Sequence, residues 1–503
     1  MGDAVANRDR IITIEFEDLP RGLPRQLSEK DTPPRMLWRA PEGLNQNAKF
    51  ADSPDALLLG EDRQGGVICC DDDRHLVTVA GSRSGKGVSA ILPNLAKYRG
   101  SVLVLDPKGE NASLTAERRG KGRGVPDGGL GQEVYVLDPF GKANVAHDYR
   151  AEFNPMSGLD PDSPMFVDYC ASIADALVYA TAKDANNHWN NNARMVLKGF
   201  IAWVATSETL PRNLITVRKL INQGADGFDA LLDEMLEEQN AERANGVPAE
   251  MAGALQTMGD EEQGSVLSTT RTNLEFLSSK PMADMLKGDG RTVDLKTWKY
   301  GGSSIYLCLP AGLLHMHARF FRLFLNRLLA VVEETKPVPR EDPKGIFILD
   351  EIHVLGHMQQ LETAIGLLAG YGVRIWSFWQ DFTQAKSIYG DRWESFLGNA
   401  SIIQAFGLND LLTLKYMSDR LGNSMTMTQT SNQISMQQSA QGYSGKTDQL
   451  GQSPLITPEE ISYYFSRQTN AQIILYTGTN PIWMKRTNYW NPEYERMRTQ
   501  WAS

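Results

Sequence analysis

The chain has 503 residues, enough for roughly two to four domains, and a formal net charge of −10. Its hydrophobic fraction of 41% and charged fraction of 22% are typical of a globular protein. The acidic balance excludes a generally basic nucleic-acid binder, so any DNA contact must be local. The sequence lacks both an apolar stretch of the roughly 20 residues needed to span a bilayer and a signal peptide at residues 1–10. We expect the chain as given to be soluble.

The cysteines give no sign of a metal site. Cys69, Cys70, Cys170 and Cys308 lack the spacing of zinc ligands. Cys69 and Cys70 are adjacent, and a disulfide between them would be strained. The sequence therefore favours reduced thiols in a cytosolic protein.

The first recognisable functional pattern lies between residues 76 and 95. Residues 1–45 before it are charged and contain several prolines, with one strand candidate at 11–16, and are predicted to form an N-terminal arm. Residues 76–80 form a β-branched, apolar strand, a glycine- and serine-rich turn follows, and the apolar run 88–95 can open a helix. Strand, loop and helix in this order are typical of a phosphate-binding loop, whose backbone N–H groups receive phosphate oxygens.

This loop departs from the consensus Gly-x-x-x-x-Gly-Lys-Ser/Thr at both ends. Ala80 stands at the first position and Gly87 at the last. Gly87 removes the hydroxyl that normally binds magnesium, and either Ser84 or Ser89 could replace it, directly or through water. Lys86 is predicted to bind the β- and γ-phosphates. The predicted nucleotide-binding residues are Gly81, Ser82, Arg83, Ser84, Gly85, Lys86, Gly87 and Val88.

A second buried strand, residues 101–105, ends in charged residues. The carboxyl ends of parallel strands face the ligand crevice. We therefore expect Asp106, Lys108 and Glu110 near the nucleotide or a neighbouring subunit. The basic run 118–123 that follows is interpreted either as a solvated helix end or as a DNA contact. The candidate DNA contacts are Lys108, Arg118, Arg119 and Lys121.

Residues 346–351 read as a buried strand that ends in two acids, a Walker B pattern. Because unpaired buried charge is costly, acids in this position indicate a function. Asp350 is predicted to hold magnesium, and Glu351 to orient and polarise the attacking water. Gln380 ends the next strand, and its neutral amide can bind water or the γ-phosphate. The predicted catalytic residues are Glu351, Gln380 and Lys86, and together these motifs predict a nucleoside triphosphatase.

The ordered set of motifs resembles the VirD4/TraG family of type IV secretion coupling proteins. That family commonly has an Ala-initiated, Gly-terminated phosphate loop. The likeness covers about residues 45–490. The resembling segments are 78–88, 106–110, 137–140, 153–155, 305–310, 349–351, 380–384, 389–390, 399 and 455–461. The resemblance implies an α/β fold, namely a RecA-like P-loop motor domain with an inserted all-α domain.

The helical spacing of apolar residues between about 158 and 290 agrees with this organisation. Residues 423–453 are rich in Ser, Thr, Gln, Asn and Met and are predicted to form a flexible loop. The predicted units are an arm at 1–45, the first part of the RecA-like nucleotide-binding domain at 46–157, the inserted all-α domain at 158–290, the second part of the nucleotide-binding domain at 291–490, and a tail at 491–503.

The resemblance also implies cofactors and partners. These are ATP and Mg²⁺, a homo-oligomeric ring taken as a hexamer, the components of a type IV secretion channel, and a relaxase–DNA complex, effector proteins or single-stranded DNA as cargo. RecA-like motors commonly complete their site with an arginine from the neighbouring subunit, for which Arg271, Arg374 and Arg420 are unranked candidates. Most family members carry transmembrane helices before the motor. We therefore expect a cytoplasmic chain, either truncated or naturally soluble, that is peripheral to the bacterial inner membrane.

Two other functions are weighed against a secretion motor. In the first alternative, the chain is a nucleotide-responsive receptor for secreted effector proteins, with little ATPase or DNA activity. The acidic net charge favours such protein cargo. Alternatively, the chain would be a DNA translocase of the chromosome-partitioning type, which shares the motor but draws no support from the helical segment.

Overall fold

The computed structural model describes residues 36–178, 187–339, 342, 344–431 and 446–498. The strand predicted at 11–16, most of the N-terminal arm and the end of the C-terminal tail lie outside these residues. All four cysteines are free and buried. Among the helices that the structure describes, none is long and apolar enough to cross a membrane.

One 11-stranded sheet organises the described chain. The strands in chain order, with the two of a separate hairpin included, are β1 Leu57–Glu61, β2 Val67–Cys70, β3 His75–Ala80, β4 Val102–Asp106, β5 Glu133–Leu137, β6 Ser303–Cys308, β7 Gly345–Leu349, β8 Val373–Trp379, β9 Ala400–Phe406, β10 Asn423–Ser431, β11 Lys446–Pro454, β12 Ala471–Tyr476 and β13 Ile482–Lys485. The sheet order is β2-β1-β13-β12-β9-β3-β8-β7-β4-β6-β5.

The strands from β9 to β5 in this order run parallel to one another. β12, β13, β1 and β2 continue the sheet with antiparallel pairings. β8 lies between β3 and β7, so the strand before the phosphate loop and the strand of the acidic motif are second neighbours. Their carboxyl ends, with that of β8 between them, therefore meet at one edge of the sheet.

Both faces of the parallel strands are buried, as expected for strands that read as continuous apolar runs. Successive residues of β7 belong to opposite cores, since Phe347 and Leu349 pack in one and Ile346 and Ile348 in the other. The described helices that cover these cores are α1 Leu92–Lys97, α2 Glu110–Arg119, α3 Phe166–Leu177, α4 His188–Ala205, α5 Leu214–Ile221, α6 Ala225–Leu236, α7 Val247–Thr257, α8 Asp260–Leu274, α9 Lys280–Lys287, α10 Leu314–Glu334, α11 Gln359–Ala364, α12 Phe382–Tyr389, α13 Glu394–Gly398, α14 Leu411–Leu421 and α15 Pro458–Tyr464.

Helices α3 to α9 follow one another between β5 and β6 in the chain. α4 lies at their centre and packs against α3, α5, α7 and α8. The second half of α4 is buried on all sides, since every residue from Gly199 to Ala205 is buried. A helix that is apolar all round has to be surrounded by other elements. The helical segment therefore packs around α4, and its buried residues are continuous with the core on one face of the sheet.

Arg322 of α10 joins this helical segment to the loop after β7. Its buried guanidinium donates to the carbonyl oxygens of Ala176 at 3.1 Å, near the end of α3, and of His357 at 2.6 Å. It also donates to the Leu355 carbonyl at 3.1 Å. These carbonyls come from different segments, so one side chain holds the segments together.

The segment predicted as a flexible loop contains paired strands. β10 and β11 form a regular antiparallel ladder from Asn423↔Pro454 to Ser431↔Lys446. The prediction of a flexible loop did not include these strands, and residues 432–445 lie outside the described part. Composition measures how much apolar surface a segment can bury, whereas a hairpin ladder is held by backbone hydrogen bonds that polar sequences can also make.

Candidate nucleotide site

The phosphate loop packs against the end of β9. The Gly81 N–H donates to the Gly407 carbonyl at 3.2 Å. A Cβ atom on Gly81 would lie 2.3 Å from that oxygen, so the position accepts only glycine. Arg83 (φ 56°) and Gly85 (φ 95°) have left-handed backbone conformations. These bend the chain into a tight turn that leads into a π-helical turn, Gly87–Ile91, and then α1.

Both candidate serines lie at the loop. The Ser84 hydroxyl donates to the Gly81 carbonyl at 2.5 Å, and the Ser89 hydroxyl donates to the Gly85 carbonyl at 2.8 Å. Both side chains are buried and stabilise the turn. A hydroxyl oxygen that donates its proton keeps lone pairs for a metal or its water, so both serines remain candidates for the role of the missing Ser or Thr.

Lys86 is buried, and its Nζ atom makes no hydrogen bond within the described residues. Glu351 Oε1 lies 3.8 Å away and is the acid that faces it. A buried ammonium without hydrogen bonds is unfavourable. The site is therefore arranged to accept an anion with oxygen acceptors, such as a phosphate.

Glu351 has a backbone conformation that is rare for a residue with a side chain, with φ 57° and ψ 41°. Residues other than glycine that adopt this left-handed conformation cluster at functional sites. Gln380 Nε2 donates to Glu351 Oε2 at 3.0 Å, and His353 Nδ1 lies 3.2 Å from the same oxygen. Gln380, predicted to read the γ-phosphate, thus also orients the neighbouring carboxylate.

Asp350 follows β7 and has a buried Oδ1 atom without a hydrogen-bond partner. Burial raises its pKa to about 6, Lys86 opposes this rise, and the Glu351 carboxylate adds to it. An oxygen left free at this position fits a magnesium ligand. No group of three His, Cys, Asp or Glu side chains in the described ranges could hold a metal by itself. Magnesium is usually held by one or two carboxylates with substrate phosphates and water, and Asp350 fits that pattern.

The acids that end the neighbouring strands have a different arrangement. Asp106 accepts the Ala112 N–H at 2.8 Å, and burial raises its pKa to about 7. Asp138 accepts the Ala143 N–H through Oδ2 at 2.7 Å, while its Oδ1, like that of Asp350, is buried without a hydrogen-bond partner. Each carboxylate therefore closes its own loop. Lys108 is exposed, and its charge lowers the pKa of Asp350; its place beside the nucleotide stays a prediction.

The predicted DNA contacts at Arg118 and Arg119 are wrong. Arg119 is completely buried, and Arg118 is 9% exposed. The acceptors of Arg119 are the Leu95, Tyr98 and Gly100 carbonyls, the Gln132 side chain and the Ser304 hydroxyl, and those of Arg118 are the Ala96, Asp127 and Gly128 carbonyls. Lys121 is exposed and pairs with Asp148 at 2.6 Å. In the folded protein, the two arginines of this basic run donate their hydrogen bonds mainly to backbone carbonyls.

The three arginines proposed for a neighbouring subunit lie in different environments. Arg374 is buried inside β8, where it donates to the Asp72 carbonyl and the Tyr98 hydroxyl, both at 2.8 Å. It cannot reach another subunit, and this part of the prediction is wrong. Arg271 donates to the Ile221 carbonyl at 3.2 and 3.1 Å. Arg420 is exposed and donates to the Tyr416 hydroxyl at 3.1 Å.

Two further residues contact this site. His353, two residues after the acidic motif, lies against Glu351. Arg486 follows β13 and donates to the Ser84 carbonyl of the phosphate loop. A histidine beside a Walker B acid could have been noticed in the sequence. Arg486 is 402 residues from its partner, and no local pattern indicates it.

The profile of the family described as "Type IV secretory system Conjugative DNA transfer" matches residues 35–501. The chain belongs to this family. The protein VirD4 of Agrobacterium fabrum is 25% identical over 428 residues, which cover 85% of this chain and 60% of the relative. The conjugal transfer protein TraG of Escherichia coli is 25% identical over 482 residues, which cover 92% and 74%. The chain spans about three fifths of the length of VirD4 from Agrobacterium fabrum.

Solved structures of the bacterial conjugative coupling protein TrwB have the same fold. The unbound form has a TM-score of 0.63 at 13% identity and covers 90% of this chain and 94% of that one. TrwB with the ATP analogue ADPNP has a TM-score of 0.62 at 13% identity and covers 91% and 96%. TrwB with ADP and Mg²⁺ has a TM-score of 0.61 at 13% identity and covers 90% and 95%. The predicted family and the RecA-like α/β fold class are confirmed.

Proposed function

We propose that this coupling-protein relative hydrolyses ATP and uses it to drive substrate into a type IV secretion channel. The cargo would be a complex of single-stranded DNA with protein, effector proteins, or both. The observation that carries the proposal is the buried Lys86 ammonium, which has no hydrogen-bond partner in the described chain and faces Glu351. The existence of TrwB structures with ADPNP and with ADP and Mg²⁺ supports nucleotide as the ligand.

Each residue of the site has a distinct role in this proposal. Lys86 binds the β- and γ-phosphates and neutralises charge that develops during transfer. Glu351 accepts a proton from the attacking water, and Gln380 fixes the carboxylate through the 3.0 Å hydrogen bond to Oε2. Asp350 would hold magnesium, which supplies charge neutralisation at the phosphates. Lys108 adds positive charge at the edge of the site.

We infer from the family that the active form is a homo-oligomeric ring, taken as a hexamer, at the cytoplasmic side of the inner membrane. A neighbouring subunit would supply an arginine to the phosphates. Of the three candidates, Arg420 supports this role because it is exposed in one chain. A ring predicts that specific ATPase activity rises with protein concentration, and a constant rate from a strict monomer would argue against it.

The decisive experiment is an ATPase assay of the full chain with and without single-stranded DNA, together with Glu351→Gln. This variant should keep ATP bound while cleavage slows about a hundredfold or more, since it loses the positioned proton acceptor. Glu238→Gln, which changes an exposed acid far from the motif in sequence, is the matched control and should behave as wild type. Wild-type turnover by Glu351→Gln would show that this acid has been assigned wrongly.

The helical segment supports a receptor function as the second candidate. Between residues 225 and 262 Arg243 is the single basic residue. The exposed acids in this span are Asp226, Asp229, Asp233, Glu234, Glu237, Glu238, Glu242, Glu250, Asp260 and Glu261. A surface of this charge repels a phosphate backbone and favours a protein with basic segments. A chain that captures a secreted protein, binds no oligonucleotide at physiological salt and does not hydrolyse ATP would be a receptor.

A further inference from the structure

Arg486 lies behind the phosphate loop, on the first residue after β13. Its guanidinium donates to the carbonyl oxygens of Ser84 in the loop and Thr469 before β12. The guanidinium also lies over the ring of Phe406, 4.7 Å from its centroid, and the Arg486 N–H donates to the Asn470 carbonyl at 2.6 Å. The side chain of Arg486 is thus fixed against the loop, and its backbone N–H is fixed against the segment before β12.

The same segment holds the loop at a second point. The Tyr489 N–H donates to the Val88 carbonyl at 2.8 Å, at the start of the π-helical turn. Tyr489 is itself buried, in a cluster with Leu92 of α1. Residues 486–489 therefore touch the loop before Lys86 and the helix after it. This places a segment near the C-terminal end of the described chain under the nucleotide site.

The charge of Arg486 has no acidic partner among the residues that the structure describes. Burial alone lowers its pKa to about 10, and its Nε atom is buried without a hydrogen bond. An uncompensated buried cation is costly. An anion at the phosphate loop would compensate this charge, just as it would compensate Lys86.

The hydrogen bond to Ser84 has a consequence for the next peptide group. A trans peptide is planar, so the Ser84 carbonyl and the Gly85 N–H point in opposite directions. When Arg486 holds the carbonyl, the Gly85 N–H points away from Arg486. Gly85 has φ 95°, and a Cβ atom placed on it would lie 3.4 Å from the guanidinium. Successive N–H groups held in this way form a concave anion site.

We propose that Arg486 is a positioning residue of the phosphate loop, which aims the Gly85 N–H at the nucleotide phosphates and adds a positive charge behind them. This inference rests on the proposed nucleotide binding. Arg486 does not touch the reacting atoms; it acts through the Ser84–Gly85 peptide. Its loss should therefore weaken phosphate binding more than it slows cleavage.

The test compares Arg486→Gln, Arg486→Lys and wild-type full chain. Arg486→Gln should bind ADP about tenfold more weakly, because a charge-assisted anchor is lost, and KM for ATP should rise while kcat changes little. Arg486→Lys keeps the charge but cannot hold two carbonyls as a fork does, so its Kd for ADP should lie between the two. Arg496→Gln removes an exposed arginine, whose partner is Asp127, and serves as the charge-matched control.

Calorimetric titration with ADP and thermal unfolding without nucleotide separate the outcomes. A folded Arg486→Gln with wild-type Kd and KM would overturn the inference. If Arg486→Gln does not fold, a wild-type Kd for Arg486→Lys would overturn it instead. Lys86→Ala tests the proposed nucleotide binding independently of the Arg486 variants. If wild type binds ADP and Lys86→Ala does not, nucleotide binding is supported whatever the Kd values of the Arg486 variants are. A wild type that binds no ADP would remove both proposals.

Discussion

Two regions of this molecule are rich in basic residues, and their environments are opposite. At the phosphate loop, Lys86 Nζ is buried without a hydrogen bond, and the Arg486 Nε atom is in the same condition. In the run 118–123, the buried guanidinium of Arg119 donates to five acceptors, and Lys121 pairs with Asp148. In the first region the Lys86 ammonium keeps its donors available for a ligand, whereas the second region uses its donors within the fold.

This difference explains why basic residues alone are a poor guide to ligand contacts. A cationic side chain whose donors are all bound inside the protein stabilises the fold. If it moved to bind a phosphate, it would leave buried carbonyls unpaired. A cation left without partners is stable only when something else supplies an anion. Stability measured without nucleotide should therefore distinguish the two kinds of residue.

The largest effect is expected at Lys86. Lys86→Met should abolish hydrolysis and weaken ADP binding about 10- to 100-fold, because the charged donor to the phosphates is lost. Without nucleotide the variant should be at least as stable as wild type, since the buried ammonium makes no hydrogen bond there and its contact with Glu351 is long. Calorimetry with ADP and urea unfolding measure the two quantities. A large loss of stability without nucleotide would contradict the comparison.

Arg119 should show the opposite behaviour. Arg119→Met removes a buried guanidinium that donates to five acceptors, of which Gln132 Oε1 and the Gly100 carbonyl keep another donor, and it should lower the free energy of unfolding by about 3 kcal/mol or more. ADP binding by the fraction that remains folded should equal that of wild type. Urea unfolding at 25 °C measures the first quantity, and titration of refolded protein measures the second. A stable variant that had lost DNA affinity would restore Arg119 as a DNA contact.

The pH dependence of the free energy of unfolding tests the comparison at Asp350. Because its folded pKa is raised to about 6, the folded state holds more protons than the unfolded state between about pH 4 and 6. The contribution of the protonated Asp350 carboxyl to the free energy of unfolding is therefore lost as pH rises through that window. Without metal or nucleotide, Asp350→Asn should gain about 3 kcal/mol relative to wild type between pH 4 and 7. Glu238→Gln should show no such pH dependence, and a pH-independent difference for Asp350→Asn would argue against a raised pKa.

The smallest effects belong to the exposed lysines. Lys121→Ala loses a surface ion pair and should change stability by at most about 0.5 kcal/mol. If single-stranded DNA contacts Lys108, Lys108→Ala should lower the log–log salt slope of oligonucleotide binding by about 0.7, whereas Lys121→Ala should leave it unchanged. Fluorescence anisotropy across a salt series measures both slopes. An equal loss for both variants would show that pairing with Asp148 does not remove Lys121 from DNA.

The sequence determined the parts of this protein that depend on short-range pattern. The strand before Gly81, the turn that follows and the acids after β7 are local features, since strand alternation, glycine conformations and buried acids can be read within a few residues. Their order along the chain also identified the family and the RecA-like fold. The phosphate-binding and catalytic roles remain predictions, and the structure brings Lys86, Asp350, Glu351 and Gln380 to one edge of the sheet as the strand order requires.

Tertiary structure decided which charged groups remain available. No local sequence pattern distinguishes the roles of Arg119, Arg374 and Arg486. Arg119 donates to carbonyls at α1, Arg374 is buried in β8, and Arg486 supports the phosphate loop. The β10–β11 ladder likewise depends on pairing across residues 432–445. Hydrogen-bond acceptors and burial come from residues far away in the chain, and the free energy of a charge depends on those surroundings rather than on its neighbours in sequence.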